Sequence, residues 1–238
     1  MDDLKISHMS ADVVTSVIDD IQSVFGKDAP VTLKRGKIHE CLGMTLDFSD
    51  AGKFKVKMID CMDGMLKDLP ADMSGELATP AADHLFDVDD ANARKLDEKD
   101  AQFFHHMVAK ALFLCKRARP DLQTNVAFLS TRVKEPDTND YKKLRKMLQY
   151  LRATRELFLT LEANNAHVIK WWIDASFAVH PDMKSHTGGC VLHGKGAVYN
   201  TSTQQKLNTK SSTESELVGV NNVMPQVLLP DGAGMRGL

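Results

Sequence analysis

Cysteine is scarce in this sequence, and the few cysteines are widely separated. Only four occur among 238 residues, and none belongs to the closely spaced pairs that hold zinc. We therefore expect reduced, mostly buried thiols, and neither disulfides nor a zinc site, at Cys41, Cys61, Cys115 and Cys190.

Long apolar runs are also absent. No stretch is long and apolar enough to cross a bilayer, and the first residues lack the charged and then apolar pattern of a secretion signal. The sequence therefore predicts an intracellular protein with no membrane partner. Because 43% of the residues are nevertheless apolar, the chain can build one large or two small hydrophobic cores.

Net charge is small, at −2, and does not by itself indicate nucleic-acid binding. The charges are unevenly distributed, however, and local fields attract phosphate more than the net charge does. A solvated helix face is the simpler interpretation of any one basic run. The basic residues that we regard as candidate contacts to a nucleic-acid backbone are Lys34, Arg35, Lys142, Lys143, Arg145, Lys146 and Lys210.

The last third of the chain predicts three strands followed by a helix. Residues 167–174 form an apolar run typical of a buried strand. Two β-branched segments, 188–194 and 196–203, predict a hairpin joined at a glycine turn. A helix then begins at Ser212 or Thr213, because apolar residues recur there at helical spacing.

Two acidic residues of this region could share a metal ion. Asp174 ends the predicted strand, and Glu216 lies in the first turns of the predicted helix. Carboxylates on two rigid, facing elements can hold Mg²⁺ in the way that two-metal phosphodiester cleavage requires. Glu214 is better explained as a helix-start residue. This order of strands, helix and acids resembles the opening of a ribonuclease H fold.

Three short phrases extend the resemblance to a family. Residues 174–178 (DASFA), 185–189 (SHTGG) and 210–217 (KSSTESEL) resemble the "SDADWAG", "RKSTSGY" and "SSTEAEY" blocks of copia-type retrotransposon Pol polyproteins. By this resemblance Asp174 and Glu216 match the first two metal-binding acids of the family's ribonuclease H, with Mg²⁺ or Mn²⁺ as the cofactor. The family's third carboxylate comes from a later "DNQSA" strand, which no segment here matches.

The N-terminal part resembles the same family. Met1-Asp2-Asp3 is similar to the end of the reverse transcriptase "YVDD" motif, so the resemblance implies that Asp2 and Asp3 are metal ligands of the polymerase palm. An amphipathic helix is predicted over 10–25, and residues 34–48 match the family's "FLG" strand.

The middle of the chain predicts a hairpin and several helices. Extended segments at 44–48 and 53–58 suggest a hairpin, which in the family would steady the primer end. Helices are predicted over 59–69, 97–117 and 141–153. The segment between the last two resembles the family's "TRPDI…AV..LS" block.

The resemblance therefore implies an α+β chain made of successive parts of a larger enzyme. These are the end of the palm with its hairpin (1–69), thumb and connection helices (70–160), the first half of a ribonuclease H-like α/β domain (161–228) and a disordered or non-native tail (229–238).

The implied activities of the parent enzyme are DNA synthesis on an RNA template and hydrolysis of the RNA strand in an RNA–DNA hybrid. Its implied partners are primer-template, hybrid and the remaining Pol segments, in the cytoplasm within virus-like particles or in the nucleus. We expect this chain alone to be inactive, because parts of both sites are missing.

The sequence leaves two alternative functions open. The chain could be a non-catalytic remnant that binds nucleic acid weakly. It could also be an unrelated metal-dependent nuclease whose third acid is Asp182 or Asp231, although neither lies on a predicted rigid element. His180, His186 and His193 surround the predicted hairpin, but nothing in the sequence assigns one to a nuclease site.

Overall fold

The computed structural model describes residues 4–27, 29–67, 69–88, 92–162 and 168–229. Within these ranges the chain forms six α-helices and seven β-strands, and the strands make two antiparallel sheets. The predicted α+β class is confirmed at this level. Asp2, Asp3 and Asp231 lie outside the described residues, as does the predicted tail after Leu229. No helix within the described ranges is long and apolar enough to cross a membrane.

The first helix, α1 (Ala11–Phe25), confirms the helix predicted over 10–25 and ends at Gly26. Its apolar stripe is only partly covered by the rest of the described chain, with Val14, Ile18 and Ile21 half-buried. None of its residues is buried, and Val13 and Phe25 remain exposed. The helix therefore adds little to the hydrophobic core.

The first sheet contains four strands in the order β1 (Ile38–Cys41), β2 (Met44–Asp47), β3 (Lys53–Lys57) and β4 (Leu159–Glu162). Strands β2 and β3 confirm the predicted hairpin, with Leu46 opposite Val56. The Phe48 and Phe54 rings stack beside it, with centroids 5.1 Å apart. Aromatic contact and cross-strand pairing thus fix the register of this hairpin.

The single strand expected within 34–48 is wrong, because the chain reverses there. Leu42 and Gly43 adopt φ angles of 51° and 74°, and Cys41 pairs with Met44 on the returning strand. A two-residue hairpin turn needs positive φ at its central positions. Gly43 suits its position, but leucine is unusual at the first central position, so the turn signal in the sequence is incomplete.

No sequence signal predicts β4. This strand pairs with β3, with Leu159 opposite Val56 and Leu161 opposite Phe54. Roughly a hundred residues of chain separate the two partners. The first sheet therefore combines residues of the predicted segment 1–69 with residues on both sides of the predicted boundary at 160.

Four helices build the main hydrophobic core, and they are α2 (Ile59–Lys67), α3 (Glu98–Cys115), α4 (Gln123–Arg132) and α5 (Thr138–Ala153). Helices α2, α3 and α5 confirm the helices predicted over 59–69, 97–117 and 141–153, with shifts of a few residues at the ends. Methionine is prominent among the fully buried side chains, which include Met58, Met62, Met65, Met73 and Met147. Its flexible thioether can fill irregular gaps between packed elements.

Aspartate caps fix the start of α5 against α4. Asp137 and Asp140 form a reciprocal capping box, each side chain accepting a hydrogen bond from the other residue's backbone amide. Arg132 of α4 donates to both carboxylates, at 3.2 and 3.0 Å. Burial raises the pKa of Asp140. This cluster makes the turn between the two helices rigid.

A second polar cluster joins the end of α3 to the end of α5. The Arg119 side chain is only 1% exposed and forms three hydrogen bonds with the Asp121 carboxylate, at 2.7 to 3.2 Å. It also donates to the carbonyl oxygen of Thr154 at 3.0 Å, while the Tyr150 hydroxyl donates to Asp121 at 2.9 Å. The Arg-Pro-Asp phrase therefore has a structural role inside the core.

The second sheet has the order β5 (Ile169–Ser176), β6 (His186–His193) and β7 (Ala197–Gln204). It confirms the predicted hairpin, although β6 begins two residues earlier than expected. It also confirms a strand near 167–174, but β5 ends two residues later than expected, and the prediction that this strand is buried is wrong, because each of its residues is half-buried or exposed. The glycine turn is confirmed as well, with φ of 91° at Gly194 and 88° at Gly196.

Helix α6 (Ser212–Leu229) packs against one face of the second sheet. Two glycines allow the close approach. A Cβ atom at Gly189 would lie 3.1 Å from a Val223 methyl group, and one at Gly219 would lie 3.5 Å from an Ile173 methyl group. The helix therefore rests on the face that carries Ile173, and its first turns lie beside β5.

Candidate functional site

The structure brings Glu216 next to the strand residue that follows Asp174. The Glu216 Oε1 atom accepts a hydrogen bond from the backbone N–H of Ala175, with an N–O distance of 3.2 Å. Helix α6 supplies the glutamate, and the end of β5 supplies the aspartate. Both predicted ligands are therefore located at the same end of one strand.

The two carboxylates approach this strand from different sides. Strand β5 pairs with β6 along one edge, and a carboxylate cannot enter between paired strands, so the Ala175 N–H points to the other edge. Ile173 faces α6, and successive side chains alternate between faces. Asp174 therefore projects from the opposite face, where it is exposed to solvent. Glu216 reaches the outer edge of β5 from the helix side.

The start of α6 is held by its own polar residues. The Glu214 carboxylate accepts from the backbone N–H of Lys210 at 2.6 Å, and the Ser211 hydroxyl accepts from the backbone N–H of Glu214 at 3.2 Å. This reciprocal arrangement resembles a capping box. It confirms that Glu214 is a helix-start residue and leaves Glu216 as the acid that faces β5.

Buried polar residues behind the helix start fix its position against the sheet. The Gln205 side-chain amide donates to the Thr187 hydroxyl at 2.9 Å and to the Ser215 carbonyl oxygen at 2.8 Å. The Ser185 and Thr209 hydroxyls are 2.9 Å apart. Sequence reasoning missed these residues as positioning groups, although Ser185 and Thr187 belong to the SHTGG phrase. Through Ser215 they orient the neighbouring Glu216.

The two acids offer the hard oxygen ligands that Mg²⁺ prefers. Within the described ranges, however, no group of three or more His, Cys, Asp or Glu side chains could hold a metal ion. Asp182 contacts Lys184 at 2.9 Å and accepts from Gln204 at 2.9 Å, and the Lys184 hydrogen bond lowers the pKa of Asp182. Asp182 is thus engaged by its own loop and by the end of β7.

Two of the three histidines near the hairpin, the half-buried His180 and the buried His186, form a structural link. His180 and His186 are 3.0 Å apart between ring nitrogens, and His186 is 2.6 Å from the Ser202 hydroxyl. That hydroxyl donates to Thr124 of α4 at 3.1 Å. Burial, followed by the charge of His180, lowers the pKa of His186 to about 4. At neutral pH His186 is therefore neutral and joins the second sheet to α4.

Four of the predicted nucleic-acid contacts lie together on α5, and they are Lys142, Lys143, Arg145 and Lys146. They line a cavity of about 740 Å³ whose other walls come from residues 81–88 and the loop 178–183. The Lys143 ammonium donates to the Asp87 carbonyl oxygen at 2.5 Å, and burial lowers the pKa of Lys143. The Nε atom of Arg145 is buried without a hydrogen-bond partner in the described chain.

The other three predicted contacts do not join this group. Lys34 is exposed, Arg35 donates to the Thr15 hydroxyl of α1 at 3.0 Å, and Lys210 precedes α6. The described chain thus offers one basic cluster on α5 and separate basic residues near α1 and α6.

Comparison with known proteins finds two similar chains. One is named "Putative transposon Ty5-1 protein", from Saccharomyces cerevisiae, and is 22% identical over 232 residues, covering 95% of this chain and 72% of that protein. The other is an uncharacterized mitochondrial protein of Arabidopsis thaliana, 24% identical over 230 residues, covering 91% of this chain and 86% of that protein.

No protein-family model matches the chain, and no solved structure does. The two similarities extend over nearly the whole chain, so they include both sheets and the helical core. The chain is therefore similar along almost its full length to a protein named for a transposon.

Proposed function

We propose that this chain is part of a retrotransposon Pol polyprotein and carries the first two metal ligands of its ribonuclease H. The hydrogen bond between Glu216 and the Ala175 amide carries this proposal, because it links the helix acid to the strand that carries Asp174. The similarity to the transposon Ty5-1 protein supports the same origin. The reaction would be hydrolysis of the RNA strand in an RNA–DNA hybrid.

Asp174 and Glu216 would hold Mg²⁺ at the outer edge of β5. Bound there, the ion would lower the pKa of a water molecule and stabilise negative charge on the leaving oxygen. The capping residues of α6 and the Gln205 cluster would keep Glu216 in place, because they fix the first turns of the helix. The open face of β5 around Asp174 would receive the hybrid backbone.

The polymerase half of the proposal rests on the resemblance around Asp2 and Asp3. These acids would bind a metal beside the primer 3′-hydroxyl, and the hairpin of β2 and β3 would support the primer end. We expect that the isolated chain does not synthesise DNA. A primer-extension assay with Mg²⁺ or Mn²⁺ tests this point, since incorporation that disappears in an Asp2→Asn/Asp3→Asn variant would contradict it.

Metal binding tests the ribonuclease H half directly. We expect weak Mn²⁺ binding by the full chain, measured by electron paramagnetic resonance, and a loss of affinity of about tenfold or more in Asp174→Asn and in Glu216→Gln. Asp182→Asn is the matched control. Asp182 lies near the same sheet, and its carboxylate already forms an ion pair with Lys184. Equal affinity in all four proteins would refute the site.

Hybrid cleavage separates the proposal from its alternatives. We expect at most trace cleavage of the RNA strand, because two carboxylates hold Mg²⁺ weakly. Fast Mg²⁺-dependent cleavage that is lost in Asp174→Asn would show that the chain is active alone. Cleavage of duplex DNA would favour an unrelated nuclease.

A second candidate function is nucleic-acid binding without turnover. The α5 cluster favours it, because Lys142, Arg145 and Lys146 line one cavity with the partly buried Lys143. Salt-dependent binding of hybrid that weakens in Lys142→Gln/Lys146→Gln, with no cleavage, would support this function.

A further inference from the structure

A cavity of about 740 Å³ lies between α5 and two internal loops, residues 81–88 and 178–183. Sites that enclose a small organic molecule commonly have this size. Neither Asp174 nor Glu216 is among the described residues that line the cavity. The cavity is therefore separate from the proposed metal site.

One wall of the cavity is a positively charged stripe of α5. Lys146 lies four residues after Lys142 and three after Lys143, so the three side chains share one face of the helix. All three line the cavity, and Arg145 lines it beside them. Asp87 is the one acidic residue among the described residues of the lining. Positive charge therefore dominates this wall.

The described contacts of two of these lysines are to neutral groups. The Lys143 ammonium donates to the Asp87 carbonyl oxygen and lies 4.4 Å from the centroid of the Phe128 ring. The Lys142 ammonium donates to the side-chain oxygen of Asn139 at 3.2 Å. Neutral partners do not compensate a half-buried charge. An anion in the cavity would compensate it.

Arg145 has a donor without a partner. Its Nε atom is buried and forms no hydrogen bond in the described chain, whereas buried donors ordinarily have an acceptor. A guanidinium binds phosphate oxygens through paired N–H groups. A phosphate that the side chain reaches by rotation would therefore supply the missing acceptor.

The two loops make the other walls mainly apolar. An anion alone would leave this part of the cavity unfilled, so a ligand that fills it has an apolar body as well as negative charge. The apolar residues are Leu85, Phe86, Val88, Val179, Pro181 and Met183.

Loop 178–183 is held in a strained conformation. Ala178 and Met183 have φ angles of 52° and 59°, which residues other than glycine rarely adopt. The Ala178 N–H donates to the Ser185 hydroxyl at 3.1 Å, and the Met183 N–H donates to the His180 carbonyl oxygen at 2.8 Å. Strain that the surrounding structure maintains is concentrated at ligand sites. The loop is therefore a preformed wall.

We propose that this cavity binds a nucleoside diphosphate, with its phosphates on the α5 cations and its ring system against the apolar loops. Two phosphates face several cations at once, and the ring fills the apolar part. A base-paired duplex can touch the rim of such a cavity but cannot enter it. The end of a single strand offers the same chemistry as a free nucleotide, and the two sources are separated by experiment.

Isothermal titration calorimetry of the full chain, with EDTA present, tests the proposal. Adenosine diphosphate carries both ring and charge, pyrophosphate carries only the charge, and adenosine carries only the ring. We expect one site that binds adenosine diphosphate about tenfold or more tightly than either of the other two probes.

Variants of the two walls separate their contributions. Lys142→Gln/Lys146→Gln is expected to weaken binding of adenosine diphosphate by about tenfold or more, because two charged donors are lost. Met183→Asn is expected to weaken it by about threefold through lost apolar contact and to leave pyrophosphate binding unchanged. Asparagine tolerates positive φ, so the loop keeps its conformation. Lys116→Gln is the control and is expected to bind normally, because Lys116 is exposed and is not among the described residues of the lining.

Thermal unfolding supplies a measurement that needs no variant, since a bound ligand raises the melting temperature of the chain. No rise with adenosine diphosphate, or no binding of it up to about 1 mM, would overturn the proposal. Equal affinities for adenosine diphosphate and pyrophosphate would do the same. A 5′-phosphorylated single strand that binds about tenfold more tightly than adenosine diphosphate would assign the cavity to a strand end instead. Asp174→Asn is expected to bind adenosine diphosphate unchanged, so this proposal and the proposed function can fail separately.

Discussion

At the scale of single residues, Arg119 shows how much a buried charge depends on its partners. Its side chain is almost completely buried, and Asp121 and the Thr154 carbonyl group accept its hydrogen bonds. Removing the guanidinium leaves the Asp121 carboxylate and the carbonyl group without their strongest donor. A charge pair of this kind adds little net stability but is costly to break.

We therefore expect Arg119→Met to lower the free energy of unfolding by about 3 to 5 kcal/mol. Urea unfolding followed by circular dichroism measures this change. Arg117→Met is the matched control, because Arg117 is less buried and lies over the Phe113 ring at 3.8 Å. We expect a loss of about 1 kcal/mol or less for the control. Equal losses in the two variants would show that the Arg119 network has no special role.

The predicted metal ligands illustrate what the sequence can and cannot supply at this scale. The pattern predicts Asp174 at a strand end and Glu216 near a helix start. The structure has Asp174 two residues before the end of β5 and Glu216 in the first turns of α6. The hydrogen bond from Ala175 to Glu216 could not be predicted, because it depends on the tilt of α6 over the sheet. The Gln205 cluster was missed for the same reason, since it joins residues far apart in sequence.

At the scale of elements, the contact between α6 and the second sheet depends on Gly189. A Cβ atom there would lie 3.1 Å from a Val223 methyl group and 3.3 Å from a Thr201 methyl group. Its neighbour Gly188 lies on the opposite face of β6, and a Cβ atom at Gly188 would meet no atom within 4 Å. The two adjacent glycines therefore form a matched pair for one experiment.

We expect Gly189→Ala to destabilise the protein by about 1 to 3 kcal/mol, because the added methyl group forces α6 away from the sheet. Gly188→Ala is expected to be neutral or to stabilise by up to about 1 kcal/mol, because alanine restricts the unfolded chain. Thermal unfolding of both variants measures the difference. If the two variants unfold at the same temperature, close helix packing is not what requires Gly189.

Local pattern predicts most elements of this fold because apolar spacing and turn residues are local properties. The helices over 98–115 and 138–153 and the hairpin of β6 and β7 follow from such signals. The turn at Leu42 and Gly43 has a turn residue at only one of its two central positions, and β4 is a short segment whose partner is remote in sequence. Tertiary pairing decides both, so neither follows from its own residues.

At the scale of the whole molecule, His186 connects the two parts of the structure. It lies between His180 and Ser202, and the Phe86 ring packs against both histidines with centroids 4.7 Å away. Asp182 raises and Lys184 lowers the pKa of His180, but burial is the largest effect and lowers it. Protonation would place positive charge on the buried His186 ring, next to the half-buried His180 ring.

This arrangement predicts a loss of stability in mild acid. The pKa of His186 is about 4 in the folded chain, below the value of 6.5 for an unburied histidine, so the unfolded chain takes up the proton first. The neutral His186 contributes fully to the free energy of unfolding above about pH 6.5, and this contribution is lost as the pH falls toward about 4. Urea unfolding at pH 7.5, 5.5 and 4.5 measures this change.

The matched comparison uses His186→Gln and the exposed control His105→Gln. We expect His186→Gln to flatten the pH dependence between 7.5 and 4.5 and His105→Gln to retain it. An identical slope in both variants would assign the acid sensitivity to other groups.

The pairing of β3 with β4 also has a consequence during synthesis on the ribosome. After β3 emerges, its free edge has no neighbour until the polypeptide has grown by roughly a hundred further residues. During this interval the nascent chain exposes Val56 and Phe54, which Leu159 and Leu161 later oppose. Chaperones that bind extended apolar segments would meet the growing chain at this edge, so its folding yield in cells should depend on translation speed between these two strands.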